Sequence, residues 1–108
     1  STSNPNAPGM LSSHYAPRKP LVLLQPGESP QPGERAGALV FRELFGGIRD
    51  EYQRTLSPTG DLNEAAKNLF AHLRTLDSLP IDIIYAEPLP NEGLGWAMND
   101  RLRRAAVR

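Results

Sequence analysis

The chain has 108 residues, and its twelve Lys and Arg side chains are balanced by twelve Asp and Glu, so no net field would draw it to nucleic acid or to a membrane surface. Cysteine is absent, which excludes disulfide staples and thiolate metal sites, and the two histidines, His14 and His72, are too few for a His-based metal centre to be expected. The length suits one domain with a small core, no apolar run approaches the roughly 20 residues that span a bilayer, and no signal-peptide pattern opens the chain, so a soluble cytoplasmic protein is the expectation.

Seven of the eleven prolines lie in the first 32 residues. Residues 1–20 therefore read as an extended arm that holds no regular ladder of hydrogen bonds. Its opening, Ser1-Thr2-Ser3-Asn4-Pro5-Asn6, fits removal of an initiator methionine and equally the cut end of a linker. The small domain is expected over 21–108. Leu21–Leu24 is an apolar run between Pro20 and Pro26, the pattern of a strand buried on both faces. Gln25–Gly37 must be a loop, because each interior proline costs a helix about 3 kcal/mol. Ala38–Phe41 reads as a second buried strand, Gly46-Gly47 as a break, and Ile48–Leu56 as a more polar strand suited to a sheet edge.

The clearest helix starts at Asp61, which can cap it as an acceptor, with Glu64 three residues on as the other half of a capping box. Leu62, Ala65, Ala66, Leu69, Leu73 and Leu76 then recur at helical spacing, with Phe70 beside the stripe. His72 falls on the polar side and reads as solvated, and Pro80 stops the helix. Ile81–Ala86 is a β-branched strand, Glu87–Asn91 a turn, and Leu94–Ala106 a helix whose stripe is Leu94, Met98, Leu102, Ala105 and Ala106. The sum is an α/β domain: a short, mostly parallel sheet with flanking helices, without internal repeat.

Ligands of such sheets lie beyond the carboxyl ends of the strands, so the turn from Pro88 to Gly95 is where chemistry is expected first, with Asn91, Gly93 and Gly95 as candidate ligand residues. Gly93-Leu94-Gly95 lacks the third glycine of a dinucleotide fingerprint, Met98 standing in its place, and the alternative is that both glycines only permit close packing. Trp96 reads as a half-buried anchor or a stacking ring. No nucleophile elbow, P-loop or H-E-x-x-H motif is present. Arg101, Arg103, Arg104 and Arg108 fit a solvated helix face, or contacts to tRNA.

Ala7–Pro17, containing Pro8-Gly9-Met10 and His14-Tyr15-Ala16-Pro17, resembles the P-G-M-x-x-x-H-Y-A-P linker of two-domain threonylcarbamoyl-AMP synthases. Ala65–Asp77 and Glu92–Leu102 are similar, in order and spacing, to stretches of the small C-terminal domain of those enzymes, so the resemblance spans nearly the whole chain. It implies a Rossmann-like, three-layer accessory domain of an enzyme that joins threonine, bicarbonate and ATP into threonylcarbamoyl-adenylate and pyrophosphate, a step toward threonylcarbamoyladenosine in tRNA. It further implies that the reaction occurs in a larger N-terminal catalytic domain of the same polypeptide, the partner of this one, with tRNA met only indirectly. This chain would then hold no catalytic residue, no metal and no cofactor of its own, ATP being a substrate of the full-length enzyme. Ser13, His14, Tyr15 and Pro17 would belong to the linker that covers the nucleotide. Two features depart from the family pattern: Leu11-Ser12-Ser13 stands where basic and aromatic residues are common, and the loop 25–37 replaces what is commonly a helix. The alternative is a stand-alone module that binds a small ligand or tRNA.

Overall fold

Two helices and four strands make up the computed structural model, which describes residues 16–31 and 35–106. In chain order they are β1 (Leu21–Leu23), β2 (Ala36–Val40), β3 (Gln53–Thr55), α1 (Leu62–Ser78), β4 (Ile83–Ala86) and α2 (Leu94–Ala106). The sheet runs β1-β4-β2-β3 and every pairing is parallel, with Leu21 beside Ile84, Ala38 beside Tyr85 and Val40 beside Thr55. Parallel neighbours need crossovers, and α1 supplies the one from β3 to β4. Between β1 and β2 the described residues of the proline-bearing connection form no helix, as the cost of interior prolines requires.

Alternation along the strands sorts the core into two faces. Leu39, Ile84 and Ala86 point toward Leu69, Leu73 and Leu76 of α1 and toward Met98 and Leu102 of α2. Ala36, Ala38, Val40 and Tyr85 point the other way, toward Leu24, Phe45 and Ile48. Both helices therefore lie on one face and pack against each other. The opposite face carries loop in place of a helical layer, and the Tyr85 hydroxyl donates to the Gln31 carbonyl at 3.4 Å as the loop passes over it.

Several boundaries differ from the sequence reading for identifiable reasons. β2 begins at Ala36, two residues early, because Asp82 N–H bonds the Arg35 carbonyl at 2.7 Å and starts the pairing sooner. The expected strand Ile48–Leu56 shrinks to Gln53–Thr55 behind a 3-10 turn, Asp50–Tyr52. Gln53 is the cause: its Oε1 accepts from Phe45 N–H, and its Nε2 donates to the carbonyls of Phe45 and Ile48, each at 2.9 Å, which holds 45–48 as a loop. β3 is an edge strand as expected, and the Arg54 guanidinium donates to the Glu51 and Gln53 carbonyls beside it.

The start of α1 is built as a relay. Asp61 Oδ1 accepts from the N–H groups of Asn63 and Glu64 at 2.8 and 3.2 Å. Glu64 does not return directly to Asp61; Ser57 stands between them, accepting from Asp61 N–H at 2.8 Å and donating to Glu64 Oε1 at 2.6 Å. At the other end, Asp77 occupies the last turn, where the helix dipole disfavours a carboxylate. It is offset by the incoming chain, whose Arg18 and Lys19 N–H groups it accepts at 3.1 and 3.0 Å, while Lys19 Nζ bonds its carbonyl. Pro17 is fully buried, so the chain is fastened to the domain from that residue onward. Among the described residues no helix is long and apolar enough to cross a membrane.

Leu69 is 3% exposed in the middle of the helical stripe. Leu69→Ala should therefore cost about 2–5 kcal/mol in denaturant unfolding, whereas a loss below about 1 kcal/mol would place this face of α1 outside the core.

Candidate functional site

β1 and β4 are neighbours, yet the chain leaves β1 toward the loop-covered face and leaves β4 toward the helix-covered face. A crevice opens where two adjacent strands send their continuations apart. Here it is a cleft of about 510 Å³, walled by residues 25–29 after β1 and 87–91 after β4, with Phe41 and Phe45 contributed by the chain after β2. That volume falls within the range of small-molecule pockets.

Each wall is fixed by its own hydrogen bonds. In the first, Gln25 N–H donates to Glu28 Oε1 at 2.8 Å and Glu28 N–H to the Gln25 carbonyl at 2.9 Å, closing a turn in which Gly27 has φ of 80°. Glu87 ties the ends of β4 and β2 together: its N–H donates to the Leu39 carbonyl at 2.9 Å, and its Oε1 accepts from Phe41 N–H at 2.8 Å. Asn99, buried on α2, holds the rest. Its Oδ1 accepts from Leu89 N–H, and its Nδ2 donates to the Leu89 carbonyl and to Asn91 Oδ1, at 2.8, 2.8 and 2.9 Å. The sequence reading missed Asn99. It shares a flank of the apolar stripe with Gly95 and Leu102, at i, i+4 and i+7, and a polar residue at such a position is the signal of a buried pin.

The residues singled out in the sequence separate into distinct roles. Asn91 lines the cleft; Gly93 and Gly95 are not among its lining residues. Gly95 is a packing glycine, since a Cβ there would lie 1.8 Å from the Pro90 carbonyl oxygen. Gly93 adopts φ of 50° facing open space. Trp96, expected to be a half-buried anchor or a stacking ring, is 61% exposed and lies outside the lining of the cleft, because its position on α2 turns it away from the stripe. Ser13, His14 and Tyr15 lie outside the described residues, whereas Pro17 is buried against the domain. His72 is half-buried rather than solvated, as α1 lies against β3. Burial lowers its pKa below the usual range, a backbone hydrogen bond with Thr55 opposes the shift, and nearby Arg54 adds to it.

Electrostatically the cleft is negative. It contains Glu28 and Glu87, and none of its described lining residues is Lys, Arg or His. The basic end of α2 is partly spent on itself, because Arg103 and Arg104 both pair with Asp100, at 3.5 and 2.8 Å.

Residues 1–107 match the family model described as threonylcarbamoyl-AMP synthase, C-terminal domain. The threonylcarbamoyl-AMP synthase of Bacillus subtilis (strain 168) is 33% identical over 111 residues, which cover 94% of this chain and 32% of that protein. The one from Pyrococcus abyssi (strain GE5 / Orsay) is 31% identical over 119 residues, covering 98% and 33%. In three dimensions the chain is similar to the crystal structure of P. abyssi Sua5 complexed with L-threonine, with a TM-score of 0.65 and 28% identity over 86% of this chain and 29% of that one. The chain thus spans about a third of the length of the relatives it matches.

The contrast between the two glycines is testable. Gly95→Ala should lower the melting temperature by several degrees, on the scale of about 1–3 kcal/mol or more for overpacking a rigid backbone contact. Equal or greater loss from Gly93→Ala, measured in parallel, would contradict the packing account of Gly95.

Proposed function

Because the chain belongs to the family of threonylcarbamoyl-AMP synthase C-terminal domains, we propose that it is the accessory domain and covering arm of an enzyme that makes threonylcarbamoyl-adenylate from threonine, bicarbonate and ATP. In this reading the reaction takes place in a catalytic domain elsewhere in the same cytoplasmic polypeptide, and tRNA is served through the product. ATP is a substrate of that domain and is not held here. The observation that carries the reading is the family match across residues 1–107, together with relatives of which the chain covers about a third of the length. The cleft is consistent with it, since its described lining carries Glu28 and Glu87 and no Lys, Arg or His to meet the phosphates of ATP.

Within the arm, Tyr15 is proposed to cover the nucleotide. It is the one aromatic residue before β1, a rigid ring with a polar tip that can close over a ligand and hydrogen-bond it. Ser13 and His14 flank it, and the buried Pro17 with the Asp77 contacts supplies an anchor a few residues away. A second reading, a small-ligand module, is favoured by the cleft itself. Direct tRNA binding is less well supported, since Arg103 and Arg104 already face Asp100.

In the full-length polypeptide, Tyr15→Ala should slow adenylate formation by about tenfold or more, equivalent to about 1.4 kcal/mol of transition-state stabilisation, with little change in melting temperature. The 108-residue chain alone should release no pyrophosphate from ATP, threonine and bicarbonate. Pyrophosphate above a heat-inactivated control, or an unchanged rate in the Tyr15 variant, would overturn the reading.

A further inference from the structure

Residues 17–20, Pro-Arg-Lys-Pro, join the arm to β1, and they carry two backbone N–H groups in all because proline has none. Both go to one side chain. Asp77 Oδ2 accepts from Arg18 N–H at 3.1 Å, and its Oδ1 accepts from Lys19 N–H at 3.0 Å. In an extended chain successive N–H groups point to opposite sides, so two neighbours reach one carboxylate where the chain bends, and the chain bends at Arg18-Lys19. Lys19 adds a second tie, its Nζ donating to the Asp77 carbonyl.

This placement is not one that α1 needs. A carboxylate in the last turn meets the negative end of the helix dipole. Terminal carbonyls of α1 are met locally in any case, that of Leu76 by Leu79 N–H and that of Thr75 by Ser78 Oγ. What Asp77 sets is the direction in which the arm leaves the domain. Pro17, next to the bend, is fully buried, and Tyr15 stands two residues before it, so at most about 7 Å of extended chain separates Tyr15 from a fixed point. Were the bend to open, the next fixed residue would be Leu21 in β1, six residues from Tyr15 in place of two. The effective concentration of a tethered group falls roughly as the −3/2 power of tether length, so a tether about three times longer lowers it about fivefold. We propose that Asp77 is a positioning residue for adenylate formation, bending the chain at Arg18-Lys19 so that Tyr15 is held at the nucleotide. The inference rests on the covering-arm reading and adds to it the group that aims the arm.

In the full-length polypeptide, Asp77→Ala should lower kcat/KM for ATP about fivefold. Asp77→Asn has the same shape but one acceptor oxygen for two N–H groups, so its rate should fall between those of the parent and the alanine variant. Its melting temperature should be unchanged or higher, since it removes a charge that the helix dipole opposes. In a Tyr15→Ala background, Asp77→Ala should change the rate by less than about twofold, because both residues act through one closure. Tyr15→Ala at the parental rate would sink the covering-arm reading and this inference together. With Tyr15→Ala slow, the inference alone is overturned if both Asp77 variants keep the parental rate, if Asp77→Asn loses rate only in step with a lower melting temperature, or if the Asp77 and Tyr15 losses multiply.

Discussion

Prolines in the connection from β1 to β2 set the terms for the whole structure. A parallel sheet ordered β1-β4-β2-β3 requires a crossover past β4, and this crossover cannot be a helix while Pro26 and Pro30 remove its hydrogen bonds. Both helices are left on one face, where they share a core with Leu39, Ile84 and Ala86. The other face is closed by loops over Val40, Ile48 and Tyr85. Continuations of β1 and β4 part toward opposite faces, and the cleft is the space between them.

A fold with this much loop relies on a few polar side chains to do what secondary structure does elsewhere. Gln53 satisfies three backbone groups in the 45–48 loop, and Asn99 satisfies both polar groups of Leu89. Ser57 links Asp61 to Glu64, and Asp77 receives two N–H groups of the incoming chain. Gln53, Ser57 and Asn99 are buried, and an unsatisfied buried backbone group costs about 1–3 kcal/mol. These residues therefore specify where each loop lies, and through Asn99 and Glu87 they specify the walls of the cleft.

Much of this was legible in the sequence. The periodicity of α1 and α2 located both helices, because an apolar stripe is a property of one segment read by itself. Asp61 and Pro80 marked the ends of α1 for the same reason. The boundaries of β2 and β3 were less legible, since they depend on partners far along the chain: Asp82 for the start of β2, Gln53 with Phe45 and Ile48 for the start of β3. Part of the Pro88–Gly95 turn lines the cleft, but the sequence pattern shows neither the contact of Gly95 with Pro90 nor the meeting of Glu28 and Glu87 in a cleft assembled from three separate loops. Motif resemblance reached further than pattern alone. The blocks 65–77 and 92–102 contain Asp77, Gly95 and Asn99, residues that fasten the arm, admit the Pro90 carbonyl and pin the turn.

Family membership is shown, and the buried Pro17 and the grip of Asp77 on residues 18 and 19 support the proposal that the domain acts on a catalytic neighbour through the arm it anchors. The most direct measurement compares threonylcarbamoyl-adenylate formation by the whole polypeptide with that of its catalytic portion lacking these 108 residues. The account predicts that the truncated portion folds but turns over about tenfold or more slowly, equivalent to about 1.4 kcal/mol of lost transition-state stabilisation. A truncated portion that remains folded and matches the rate of the whole would contradict it.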